Sequence, residues 1–143
     1  MTRLQIIRFI KRRCPKIFPC VKIKFIPDKN IAPFCAQVIK KEPDSFLIEL
    51  SRKAFLTLSI TEAKAIILHE LGHIATYNKA SNLSEDEYLA HKWAIRIAKK
   101  NLLFKIQREL IAVFDSWINY GWNESNGDFR RYILASRIFT IKK

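Results

Sequence analysis

Apolar and polar positions follow different rhythms along this chain. Between Thr2 and Arg13, Leu4, Ile6, Ile7 and Ile10 recur among basic residues. That spacing predicts a short basic amphipathic helix over 2–13, ended by Pro15 and Pro19. VKIKFI (21–26) then alternates with period two and predicts a strand. PDKN (27–30) has turn chemistry. FCAQVIK (34–40) and SFLIELS (45–51) predict two further strands joined through KEPD. Pro43 belongs in that turn, because proline cannot donate to a strand ladder.

From Ser59 the period lengthens. Ser59 followed by Glu62 fits a capping box and opens a helix to about Tyr77. KASN (79–82) breaks it, and Ser84 with Glu87 is a second possible box, opening a helix to about Lys100. Over Ile106–Tyr120, the residues Leu110, Val113, Phe114, Trp117 and Ile118 form one stripe, a third long helix. GWNESNGD reads as a loop and Phe129–Ile141 as a last helix. The fold class expected is α+β: an N-terminal helix, a small three-stranded sheet, then a block of helices. No internal repeat or low-complexity tract interrupts this order.

The 143 residues, 49% hydrophobic and 27% charged, suit one soluble domain over 1–143. It carries a basic segment over 1–24 and a helical extension over about 102–143. No targeting or membrane-spanning stretch is visible, so the expected compartment is the cytoplasm. Cys14, Cys20 and Cys35, an odd set without CxxC spacing, fit reduced thiols rather than a disulfide framework or a cysteine-based zinc knuckle.

The net charge of +13 is concentrated at the ends. Residues 1–24 hold eight Lys/Arg and no acid, and residues 96–143 hold ten basic and four acidic groups. Residues 60–95 hold three basic and five acidic groups. The basic ends can contact nucleic acid or acidic proteins, or can serve solubility alone.

That acidic middle contains HELGH at 69–73. Residues four apart on a helix share a face, so His69 and His73 can close on one Zn²⁺, the HExxH pattern. Glu70, next to His69, is the candidate general base on a zinc-activated water. Gly72 costs about 1 kcal/mol in a helix interior, which implies that another backbone, plausibly a strand, passes close by. Ala63, Ile66, Ile67, Leu71, Ile74 and Ala75 supply a core-facing surface.

A catalytic zinc takes three protein ligands and leaves one position open. The metzincin positions after His73 are occupied by Thr76 and Lys79, which excludes that class. The next helix offers Glu85, Asp86, Glu87 and His91. Glu87 and His91 share a face with Ala90 and Ala94, whose small side chains allow close packing on the HELGH helix. Glu85 and Asp86 are expected to point elsewhere and decorate the helix N-terminus. Glu87 reads as a ligand or as the capping partner of Ser84. His91 reads as a fourth ligand, as a replacement for Glu87, or as a group hydrogen-bonded to a ligand.

HELGH followed by Glu87-x-x-Ala90-His91-x-Trp93-Ala94 resembles the ImmA/IrrE family of zinc metallopeptidases, which includes small phage- and mobile-element-encoded members. The resemblance spans roughly residues 45–95. It implies a zincin-like fold, one Zn²⁺ per chain held by His69, His73 and Glu87, and Glu70 as catalytic base. It also implies an intracellular endopeptidase acting on a regulatory protein such as a DNA-binding repressor. At His91 the family usually has Asn or Asp, so this chain departs there; a histidine can play the same orienting role.

Tyr77 and Tyr88 are the nearest candidates for stabilising an oxyanion, with Tyr120 and Tyr132 able to arrive from the last helices. Trp93, Trp117 and Trp122 read as core anchors. SFLIELS is a candidate edge strand for pairing with an extended substrate. The competing function is a non-catalytic zincin-fold protein that binds DNA or a regulator through its basic surface.

Overall fold

Thr2 opens the first helix. Its hydroxyl accepts the Gln5 backbone N–H, and the Gln5 side chain accepts the Thr2 N–H. Two donors that the helix start would leave unpaired are thereby satisfied. Helix α1 spans Arg3–Arg13 and buries Ile6, Phe9 and Ile10. The structure, a computed structural model, describes residues 1–27, 36–81 and 83–120, apart from the side chains of 54, 57, 83, 84 and 113–120.

Three strands follow: β1 (Val21–Ile26), β2 (Ala36–Lys41) and β3 (Ser45–Ser51). The sheet order is β1-β3-β2, with β1 parallel and β2 antiparallel to β3. The register aligns Ile23, Ile48 and Val38 in one row and Phe25, Leu50 and Ala36 in the next. Ile48 and Leu50 are fully buried in those rows, so this face of the sheet carries the core. The edge-strand expectation for SFLIELS is therefore corrected: β3 is the central strand. Among the described residues β3 is paired on both sides, and the edges belong to β1 and β2.

A short helix α2 (Arg52–Thr57) follows β3 directly. The sequence reading missed it, because six residues are too few to show a helical period. Ser59 then caps α3 (Ile60–Ala75), exchanging bonds with Glu62 as a complete capping box. Helix α4 spans Leu83–Lys100 and α5 spans Phe104–Tyr120. Because α4 already includes Leu83, Ser84 stands inside the helix rather than at its cap. The expected helix over 129–141, Cys35, Tyr132 and Trp122 lie outside the described residues.

Helices α3 and α4 meet at small residues. Ala90, Ala94 and Ala98 recur every four residues and are fully buried. Opposite them stands Gly72. A Cβ added there would meet the Ala90 carbonyl carbon at 2.7 Å and its Cα at 2.8 Å. The backbone that passes Gly72 is thus the α4 helix, not the strand the sequence suggested. An i, i+4 ridge of alanines packs closely enough to exclude even one methyl group.

Gly72→Ala is therefore expected to force the two helices apart. Overpacking against backbone should cost on the order of 3 kcal/mol, well above the small gain in helix propensity. Urea denaturation checks this; a variant as stable as the parent would contradict the close approach.

Candidate metal centre

Close helix packing brings three histidines and three carboxylates together. His69 and His73 stand one turn apart on α3, with ring centroids 4.8 Å apart. Their Nε2 atoms face each other at 3.1 Å. The Glu87 carboxylate on α4 closes the triangle, Oε2 lying 3.0 Å from His69 Nε2 and Oε1 3.5 Å from His73 Nε2. His69, Glu70 and His73 also each offer a ligand atom within 4.8 Å of one another. Two carboxylates thus border the same imidazole pair, and Glu87 is the one in direct contact with both Nε2 atoms.

The proton positions follow from the partners. His91 Nε2 lies 2.7 Å from the Leu110 carbonyl on α5, which can only accept, so this nitrogen carries a hydrogen. His91 is 2% exposed. Burial first, and the charge of His69 second, hold its pKa well below the usual histidine range, so it is neutral. Its Nδ1 must then accept, and it lies 2.8 Å from His69 Nδ1. His69 therefore donates from Nδ1 and turns its Nε2, bare when the ring is neutral, toward Glu87 and His73. His73 Nδ1 donates to Asp86 at 3.0 Å, which turns its Nε2 the same way.

When the two α3 rings are neutral, three electron-pair donors converge from three side chains. Burial works against charge on His73, but the hydrogen bonds it donates to Asp86 and Glu87 and the charges of Glu87 and Glu70 raise its pKa to about 10. Burial also opposes ionisation of Glu87, and the two α3 histidines outweigh it, holding Glu87 well below its ordinary value. The cluster therefore attracts a cation strongly. A proton on His73 can satisfy only some of these donors. Donors around a tetrahedral zinc with bonds of roughly 2.0–2.1 Å stand about 3.3 Å apart, close to the spacings here. The donor set fits a zinc ion.

Asp86 corrects the sequence reading, which placed it away from the histidines. Consecutive residues on α4 diverge by about 100°. The His73 ring sits between them, so Asp86 reaches Nδ1 while Glu87 reaches Nε2. Glu85 stays at the helix start and accepts a bond from the Ser81 hydroxyl at 2.6 Å. The alternative of Glu87 as cap partner for Ser84 gives way to its contacts with the histidines. His91 lies behind His69, both nitrogens engaged away from the Nε2 triangle. The sequence reading sent Asp86 to the helix N-terminus; its one-residue offset from Glu87 was the signal that could have placed it.

The tyrosines are placed differently. Tyr77 is exposed and packs its ring edge-on against Phe46 of β3, centroids 5.3 Å apart. Tyr88 is buried in the core, and its hydroxyl has no hydrogen-bond partner among the described residues. Cys14 is buried, which raises its thiol to about 11 and leaves it unreactive. Among the described residues, no helix is long and apolar enough to cross a membrane. Compared with family models, curated proteins and solved structures, the chain matches none.

The metal-free chain should show a stability maximum near neutrality. His73 is held above its ordinary 6.5, so its contribution is full below that pH and is lost as pH climbs toward about 10. His91 is held below 6.5 and Glu87 below 4.5, so theirs are lost on acidification. Urea denaturation in chelator from acid to pH 10 checks this. Stability that rises continuously from pH 7 to 10 would contradict it.

Proposed function

We propose that this chain is a zinc-dependent peptidase of the gluzincin-like type, a relative of the ImmA/IrrE metallopeptidases, with a zincin-like fold and a protein substrate. One observation carries the reading. Two imidazole Nε2 atoms and the Glu87 carboxylate converge, while a further carboxylate, Glu70, stands against the same pair.

His69, His73 and Glu87 would hold the ion. Zinc, when bound, supplies Lewis acidity, bringing the pKa of water to about 7 and polarising a carbonyl. Glu70 is buried at the α3 surface beside the two ligands. Its carboxylate takes the proton from the attacking water and delivers it to the departing amine nitrogen. Asp86 and His91 orient the ligand rings from behind and fix which nitrogen is bare. The exposed edge of β2, which among the described residues pairs only with β3, suits an extended peptide. Strand β2 also packs against α3, so a peptide added there would run beside the active-site helix.

Elemental analysis should find one zinc per chain. Glu70→Gln should keep that zinc and lose cleavage of a mixed peptide library read by mass spectrometry, by a factor of about 100 or more. A purified chain that takes up no zinc sinks the reading. Zinc uptake with no peptide cleaved would leave a metal centre without the peptidase.

Asp86→Ala and His91→Ala should each weaken zinc binding by about 10–100-fold, because each removes the partner that orients a ligand ring. Competition with a chromophoric chelator measures this. Unchanged affinity in either variant would show that its histidine is positioned by packing alone.

A further inference from the structure

The peptidase reading leaves the basic N-terminal corner unused. On α1 the buried residues Ile6, Phe9 and Ile10 define the core-facing side. Arg8, Lys11 and Arg12, spaced i, i+3 and i+4, are exposed on the opposite side. After the turn, Lys16 is exposed, and Lys22 and Lys24 share the outward face of β1. The Arg3 guanidinium donates to the Ile23 carbonyl at 3.1 Å, which fastens the start of α1 to β1. The helix stripe and the strand pair therefore sit on two elements fastened to each other.

Among the described residues this positive charge has no acidic counterpart. Residues 1–27 contain no acid. Among the described residues, the ion pairs all involve histidine, and none neutralises these lysines and arginines. The corner is also fixed rather than loose, since α1 is capped at Thr2 and packed into the core.

We propose that this corner docks the phosphate backbone of double-stranded nucleic acid, without reading its sequence. The charge spacing along one helix face suits a row of phosphates, and counterion release supplies the affinity. A membrane is the poorer occupant. An interfacial helix needs a free apolar face beneath its basic one, and α1 has buried Ile6, Phe9 and Ile10 in the core, which leaves Leu4 alone among its large apolar residues exposed. The proposal stands independently of the zinc site.

Fluorescence anisotropy of a labelled duplex of arbitrary sequence, titrated with the full chain at several salt concentrations, tests it. The expected result is binding whose strength falls steeply with salt. The triple variant Arg8→Gln/Lys11→Gln/Arg12→Gln should lose at least ~10-fold in affinity and flatten the log–log salt slope by about 2–3, the loss of roughly three phosphate contacts. The exposed α4 cations give a variant of equal charge change, Lys92→Gln/Arg96→Gln/Lys99→Gln, which should lose much less. Equal loss in both variants would overturn the assignment, since net charge alone would explain it. So would absence of duplex binding at low salt, or binding to phosphatidylserine vesicles in preference to the duplex. Circular dichroism confirms that both variants keep the fold, as expected for fully exposed positions.

Discussion

The distance between α3 and α4 sets everything else in the molecule. At Gly72 the two backbones come so close that one added methyl group would collide with the Ala90 main chain. Imidazole and carboxylate side chains are short. Only helices packed this tightly let Glu87 reach two histidine nitrogens on the neighbouring helix while Asp86 reaches the far side of one of them. The alanine ridge of α4 is thus a spacing device. It also buries fully, so the same residues that bring the ligands together contribute to the core.

Within that spacing, the two α3 histidines are oriented by opposite means. His73 is backed by an anion, Asp86, and His69 by a neutral ring, His91. A carboxylate partner strengthens the electron-pair donation of an imidazole more than a neutral acceptor does. The cluster therefore contains a strong donor and a weaker one, against the charge of Glu87 and with Glu70 adjacent. Placing a neutral histidine behind His69 also keeps the number of buried anions down. A fourth carboxylate, in place of His91, would raise the cost of burial when no cation is present.

Much of this was legible in the chain itself. The period-two run marked β1, and the capping-box residues at Ser59 and Glu62 marked the start of α3. HELGH and Glu87 named residues that the fold does bring into contact, because helical spacing is local and nearly rigid. What escaped was set by tertiary contact. Nothing within SFLIELS says that it is paired on both edges. Helix α2 is shorter than the window in which a period shows. The partner of Gly72 could not be named from one sequence, since a glycine records that something passes close, not what. Asp86 was misplaced because a one-residue offset on a helix decides between facing a ring and missing it, and the rotation of α4 is fixed by Ala90, Ala94 and Ala98.

The bond from His91 to Leu110 has a consequence for how this protein can vary. His91 meets the backbone carbonyl of α5, not a side chain. Every residue type brings that carbonyl, so the identity of residue 110 is constrained only by the apolar space it fills. What must persist is the location of the helix. Related chains could change the residues along this part of α5 freely, provided the replacements keep it seated against α4. The histidine it serves has less latitude, since a replacement must still donate to that carbonyl and accept from His69 across the same span.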